Sequence, residues 1–349
     1  MSPQMTTLGT IGVGNSSYVS YRTKSSGIYR PEENANMQNY RYQIDCYEAF
    51  NQESGTFTST NRAASLNLSN GGKYCQVITT NDSITTVITF TLQFNWAFNG
   101  TVSSTTTTIG SDDVSATLPV VRDGRQKGIT SSPDGTHFFI SSYGALSGQG
   151  SYTGGRIYKY QIKSGRESFA GIFNFTNYDF ITSVSINSQT IYPWGIKLNP
   201  DGTKLYVMKQ DSNVEAILQY SMSSAYDLST LSYQGQMIWD RTLDIYNMDI
   251  AFSDDGKKLY VLGLENSRIY QLNLNTAWDI TAGHSVRAEF LYRGFYTGQD
   301  KSSSGLFFKP DGLSFFTVGY AYPTGDLYPL GIYNGTETRS LLKYNLIVN

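Results

Sequence analysis

The side chains able to do acid–base, nucleophilic or metal chemistry are few. His137 and His284 are the only histidines, and Cys46 and Cys75 the only cysteines, in 349 residues. A hydrolytic triad needs a nucleophile, a base and an orienting group, and histidine is the commonest base. His137 holds the place that Lys204 and Lys258 hold in neighbouring repeats, which predicts an outward strand residue. His284 follows Trp278-Asp-Ile-Thr-Ala-Gly283 in a variable stretch, which predicts a solvated loop. The cysteines sit in alternating segments and read as buried free thiols, too widely separated from the histidines for a zinc site.

Paired carboxylates can hydrolyse glycosidic bonds without histidine. The candidates are Asp240 and Asp244 in Trp239-Asp-Arg-Thr-Leu-Asp244, with Asp211 and Glu215 nearby in sequence. Loop solvation explains them better. No Asp-rich calcium loop and no Gly-x-Gly-x-x-Gly between strand and helix is present. The reading therefore assigns no catalytic, metal or cofactor residue. What remains is aromatic: the stretch Tyr320 to Tyr333 and an isolated Trp239 could hold a sugar ring or a protein partner, so Tyr320, Tyr322, Tyr328, Tyr333 and Trp239 are the candidate ligand-binding residues. The competing explanation is that these tyrosines pack the rim of the last repeat.

The elements that would position such residues are set by a repeat. Gly135, Gly202, Gly256 and Gly312 each follow an aspartate (Asp134, Asp201, Asp255, Asp311), preceded by Pro133, Pro200, Asp254 and Pro310. Proline presets φ, aspartate caps the turn, and glycine accepts the positive φ that follows. Six residues before the glycines stand Ile129, Ile196, Ile250 and Leu306, and three residues after them begin Phe138-Phe-Ile, Leu205-Tyr-Val, Leu259-Tyr-Val and Phe315-Phe-Thr. Each turn thus joins a hairpin. Third strands are expected at Ile157–Tyr160, Ile217–Tyr220, Ile269–Leu272 and Leu341–Tyr344. Weaker fourth strands are expected at 180–184, 235–239 and 289–292. Four strands per unit, at a period of roughly fifty to seventy residues, is the pattern of a β-propeller blade. The last unit lacks a fourth strand, and Ala116–Val121 is expected to supply it and remove an open edge.

Leu198-Asn-Pro-Asp-Gly-Thr-Lys-Leu-Tyr-Val207 and Phe252-Ser-Asp-Asp-Gly-Lys-Lys-Leu-Tyr-Val261 resemble the YVTN-type propeller repeat family. The segments that follow, 220–230 and 272–281, are similar to a subgroup found in bacteriophage virion proteins and bacterial surface proteins. This resemblance spans about residues 128–349 and implies an architecture more than an activity.

Composition agrees with an all-β chain: 27 Tyr, 18 Phe, 33 Gly and only 15% charged residues. With 26 basic against 28 acidic residues there is no basic field for nucleic acid, and no apolar run suggests membrane insertion. The expectation is a small propeller of about four blades over 113–349, preceded by a β-sandwich-like docking domain over 1–112. Tyr40–Cys46 and Ser83–Phe94 read as strands there, and Thr101–Ile109 as a linker. The functional expectation is a non-enzymatic bacteriophage virion protein (tail fibre, tail tip or head decoration), made in the host cytoplasm. Its partners would be other virion proteins, further copies of itself, and a host-surface glycan or protein. A glycan-cleaving propeller enzyme and a bacterial adhesin or filament subunit are the alternatives.

Overall fold

The computed structural model describes residues 52–59, 62–80, 85–97, 103–109, 126–143, 154–211, 214–264, 268–291, 303–312, 314–320 and 337–345. They form twenty strands in five four-stranded antiparallel sheets. Sheet 1 is β2 (Arg62–Ser69), β3 (Tyr74–Thr80), β4 (Thr85–Thr91) and β5 (Ser103–Ile109). Sheet 2 is β6 (Gln126–Ser131), β7 (His137–Tyr143), β8 (Gly155–Ile162) and β9 (Tyr178–Ser185). Sheet 3 is β10 (Pro193–Leu198), β11 (Lys204–Asp211), β12 (Val214–Met222) and β13 (Leu231–Ile238). Sheet 4 is β14 (Asn247–Phe252), β15 (Lys258–Gly263), β16 (Arg268–Thr276) and β17 (Asp279–Leu291). Sheet 5 is β18 (Gly305–Phe308), β19 (Ser314–Tyr320), β20 (Glu337–Asn345) and, from the far end of the chain, β1 (Gln52–Ser59).

The first strands touch in cyclic order, β2 to β6 to β10 to β14 to β18 and back to β2, so the sheets stand around one axis as the blades of a β-propeller. The four units marked by Asp-Gly turns each become one blade, with their hairpins and third strands where the repeat put them. The fifth sheet comes from the N-terminal segment. Arg62–Ile109 therefore does not make a sandwich of its own: it is a single sheet packed between sheets 5 and 2, and 1–112 and 113–349 share one ring among the described residues. Thr101–Ile109 is not a linker, because Ser103–Ile109 pairs with β4 in full register from Thr85↔Ile109 to Thr91↔Ser103. Tyr40–Cys46 lies outside the described residues.

Ring closure also differs from expectation. The fourth place in sheet 5 is filled by Gln52–Ser59, antiparallel to β20 from Gln52↔Tyr344 to Ser59↔Glu337. Ala116–Val121 lies outside the described residues. Since sheet 1 precedes the first Asp-Gly repeat, the strand that reaches sheet 5 must lie upstream of sheet 1.

Second strands are apolar on both faces because both faces are buried. Leu205 and Val207 pack with Phe139, Ile157 and Ile196 across the seam between sheets 2 and 3. Tyr206 and Met208 pack with Ile250, Leu259 and Val261 across the seam between sheets 3 and 4. Equivalent clusters join sheets 1 and 2 through Ile78, Val87, Ile129 and Phe138, and sheets 5 and 1 through Leu66, Val77, Phe316 and Val318. Tyr260 stacks on Phe308 between sheets 4 and 5, centroids 3.9 Å apart. Fourth strands such as β13 are mostly exposed, which is why their sequence signal is weak.

Candidate functional site

Two places in the ring gather polar side chains: its axis, and the end opposite the Asp-Gly turns, where the first strands begin. Ahead of the core aliphatic of each first strand stand Ser65, Gly128, Gly195, Asp249 and Gly305. Neighbouring backbones come very close here. A Cβ on Gly128 would lie 2.4 Å from the Trp194 carbonyl oxygen, one on Gly195 2.3 Å from Asp249 Oδ1, and one on Gly305 2.6 Å from the Leu66 nitrogen. Asp249 uses the same crowding differently. Its carboxylate accepts from its neighbour Ile250 N–H (2.9 Å), from Leu306 N–H of sheet 5 (3.0 Å) and from the Ser65 hydroxyl of sheet 1 (3.0 Å). Lys197 Nζ of sheet 3 stands 3.5 Å away and donates to the Leu66 carbonyl at 3.4 Å. Four sheets thus converge on one carboxylate. Both groups are buried, and burial pushes Asp249 above the usual carboxylate range and Lys197 below the usual lysine range, with each partner's charge opposing the shift.

Near the start of the first strands, the buried Lys127 Nζ lies 4.9 Å from the Trp194 ring centroid and 5.4 Å from that of Tyr143. Tyr192 meets Tyr143 edge-on at 5.4 Å. Trp194, Tyr143 and Tyr192 are half-buried, so a buried ammonium is packed among aromatic rings.

The turn face carries a second repeating device. The peptide N–H of Gly72, Gly135, Gly202, Gly256 and Gly312 closes each hairpin turn onto the carbonyl three residues earlier. The carbonyls of Gly72, Gly202 and Gly256 accept in turn from the N–H of Trp96 (2.9 Å), Tyr226 (2.8 Å) and Trp278 (2.9 Å). These three aromatics have φ of 62°, 60° and 58°, and each lays its ring against the glycine, leaving no room for a Cβ. Gly171, φ 95°, takes the equivalent place in sheet 2. The preceding sheet reaches over to this residue: Gln76 Nε2 donates to the Gly171 carbonyl at 2.6 Å, and Tyr206 OH and Lys204 Nζ donate to the Trp278 carbonyl at 2.5 and 2.7 Å.

Trp239 is not a surface ligand residue: it is buried among Met237, Leu243 and Tyr270, and its Nε1 donates to the Asp244 carbonyl. Tyr320 ends β19 opposite Arg339, and Tyr322, Tyr328 and Tyr333 lie outside the described residues. Asp240 and Asp244 do not form a facing pair. Asp240 is exposed and accepts from Thr242 N–H and hydroxyl, whereas Asp244 is buried and accepts from Tyr270 OH at 3.2 Å. Glu215 is buried and accepts from Tyr246 N–H, Asn247 N–H and Asn247 Nδ2. Asp211 accepts from Thr190 and pairs with Lys209 at 3.0 Å. The turn aspartates cap locally, as in Thr203 N–H to Asp201. His137 is half-buried instead of outward: it stacks on Tyr226 across a seam, centroids 4.9 Å apart at 11°, and burial with Lys159 nearby holds its pKa below the usual imidazole value. His284 is exposed, but on β17 and not in a loop. Among the described residues no cluster of three His, Cys, Asp or Glu could hold a metal ion, and no helix is long and apolar enough to cross a membrane.

Asp249 and Lys197 are invisible to a motif search because neither sits in a motif. The signal is comparative: Asp249 stands where three sister strands have glycine. The fifth repeat left one trace in the sequence: Gly72 and Trp96 are spaced as Gly202 and Tyr226 are.

No family model matches the chain, and no curated protein is similar to it. Solved structures resemble it at low identity. The β-propeller domain of Myceliophteria thermophila Cps50 (Swd1) is 14% identical over 80% of this chain and 82% of that one, TM-score 0.40. A putative 6-phosphogluconolactonase from Bacteroides uniformis is 17% identical over 72% and 62%, TM-score 0.41. A luciferin-regenerating enzyme is 11% identical over 82% and 95%, TM-score 0.42. These likenesses say nothing about activity, and the propeller assignment rests on the sheet topology.

Proposed function

We propose that this chain is a non-enzymatic structural protein of a bacteriophage virion, a tail-fibre, tail-tip or head-decoration component that contacts other virion proteins, further copies of itself, or a host-surface glycan or protein. The observation that favours a scaffold over an enzyme is that each described carboxylate that could have served hydrolysis is engaged by the fold. Glu215, Asp244 and Asp249 are buried acceptors, and Asp240 and the turn aspartates cap their own loops. The YVTN-type repeats with their phage-like continuation, and the near-neutral charge of 26 basic against 28 acidic residues, support the same reading.

Mass spectrometry of purified particles together with electron microscopy is the test. Density for a ring of sheets on the head or tail is expected. A chain found only as a free cytosolic monomer overturns the reading. Glycan cleavage that is lost on Asp240→Asn or Asp244→Asn would establish the enzyme instead.

A further inference from the structure

Every blade ends in an outer strand whose far edge pairs with no described strand, and open edges invite pairing with another chain. Four of the five carry a device that discourages it. β9 carries Asp179, β17 carries Asp279, Arg287 and Glu289, and β1 carries Glu53 and Gly55. β13 carries Gly235 at φ 147° beside a register shift against β12. β5 has none of these. Its seven residues, Ser103-Ser-Thr-Thr-Thr-Thr-Ile109, contain no charge, proline or glycine, and all seven pair with β4 without a bulge. Threonine is a strong strand former, so this edge is regular and uncharged, and its residue types favour extended backbone.

We propose that β5 is an interaction surface at which two copies of this chain join by antiparallel edge-to-edge pairing, fusing two four-stranded blades into one eight-stranded sheet. The occupant follows from self-complementarity. When two β5 strands run antiparallel about Thr106, threonine faces threonine at the centre, Thr105 faces Thr107, and Ser104 faces Thr108. The same residue types are already register partners within the sheet at Thr86↔Thr108 and Thr89↔Thr105. No like charges meet at the two-fold axis, and such an interface is isologous and closes at two copies. Each of the other four edges carries a charge or a bulge in the strand that would pair. This proposal deepens the assembly reading above, yet its test needs no particle: a dimer in solution leaves virion membership to be decided separately, and a virion protein without this dimer remains a virion protein.

The experiment is sedimentation velocity on the purified full chain across a concentration series, with Thr105→Lys/Thr107→Lys alongside. The expected result is a species of twice the 38.8 kDa chain mass that is lost in the variant, with far-UV dichroism and melting unchanged. Hydrogen exchange covers the case of a variant that does not fold: in the unaltered chain, amides of 103–109 gain protection as concentration rises. A chain that stays monomeric, a folded variant that still dimerises, or amide protection independent of concentration overturns the proposal.

Discussion

Removing the carboxylate of Asp249 tests whether the axis of the ring is held by one side chain. Asp249→Ala deletes the acceptor of Leu306 N–H, Ile250 N–H and the Ser65 hydroxyl, and leaves the Lys197 ammonium buried opposite an alanine. Breaking a buried ion pair from one side costs about 3–5 kcal/mol, because the surviving charge is uncompensated. Three orphaned donors put this case at the upper end of that range. Lys197→Met should cost about 3 kcal/mol at neutral pH, since three donors still hold the carboxylate. Because the two residues share one interaction, Asp249→Ala/Lys197→Met should be less destabilised than the sum of the singles by about 1–3 kcal/mol. Equilibrium urea unfolding, followed by tryptophan fluorescence at matched m-values, reads all three. A shift below about 1 kcal/mol for Asp249→Ala, or additivity within about 0.5 kcal/mol, refutes the staple. The variants also make a pH prediction. In Lys197→Met the cation that opposes the raised pKa of Asp249 is gone, so the folded state binds a proton more tightly than the unfolded chain does. Stability of that variant should fall as pH rises from the unfolded carboxylate value, about 4, toward neutrality, and acidification from neutrality should narrow its deficit.

Other consequences are local. Gly256→Ala places a Cβ 2.2 Å from Trp278 at a φ of 69°, so it should destabilise by about 2–4 kcal/mol, with Gly256→Ala/Trp278→Ala recovering part of the loss in the same urea assay. Tyr206→Phe removes the hydroxyl that donates across a seam to the Trp278 carbonyl, at a cost of about 1–2 kcal/mol in urea melts. Asp134, Asp201 and Asp255 are held below the usual carboxylate range by hydrogen bonds from their own turns, against the opposing effect of burial. Their contribution is present above the unfolded carboxylate pKa and is lost as pH falls through the lower folded values, so Asp201→Asn should flatten the acid limb of a thermal-stability profile.

Four of the blades could be read from the chain because their turns are chemically loud: Asp-Gly with proline ahead allows little but a hairpin. The sheet of Arg62–Ile109 was missed because its turn uses Asn70-Gly71-Gly72, with φ of 50°, 62° and 76°, in place of Pro-Asp-Gly. Its Gly72–Trp96 contact nonetheless copies Gly202–Tyr226. Thr101–Ile109 looked like a linker because a run of Ser and Thr shows no apolar alternation, yet an outer strand needs none. The closing strand was misplaced for a different reason. Local pattern says where a strand can form, whereas which strand closes a ring depends on how many sheets precede it, and missing one sheet shifts the answer upstream by its whole length. Aromatic composition misled in the opposite direction, since Trp239 lies in the core between sheets 3 and 4, where large side chains fill the seam.

Closure places unequal demands on the seams. Four of the five join sheets that follow one another in sequence. At the seam between sheets 5 and 1, β1 is followed in sequence by β2, but β1 is itself held to the rest of sheet 5 by strand pairing alone, eight residue pairs with β20 on the outside of the ring. Near the axis the same seam is held by Ser304 Oγ donating to the Ala63 carbonyl at 2.7 Å, and by Asp249, which takes one hydrogen bond from Ser65 on the sheet 1 side and one from Leu306 on the sheet 5 side. Asp249 itself belongs to sheet 4, so the carboxylate acts as a third party that binds both halves of the junction and is indifferent to neither. A glycine at that position, as in three sister strands, would pack as closely but would leave Leu306 N–H and the Ser65 hydroxyl without this acceptor. Asp249, which with Ser65 departs from the glycine of the other three first strands, thus sits one sheet away from the junction where closure depends on strand pairing, and holds a hydrogen bond on each side of it.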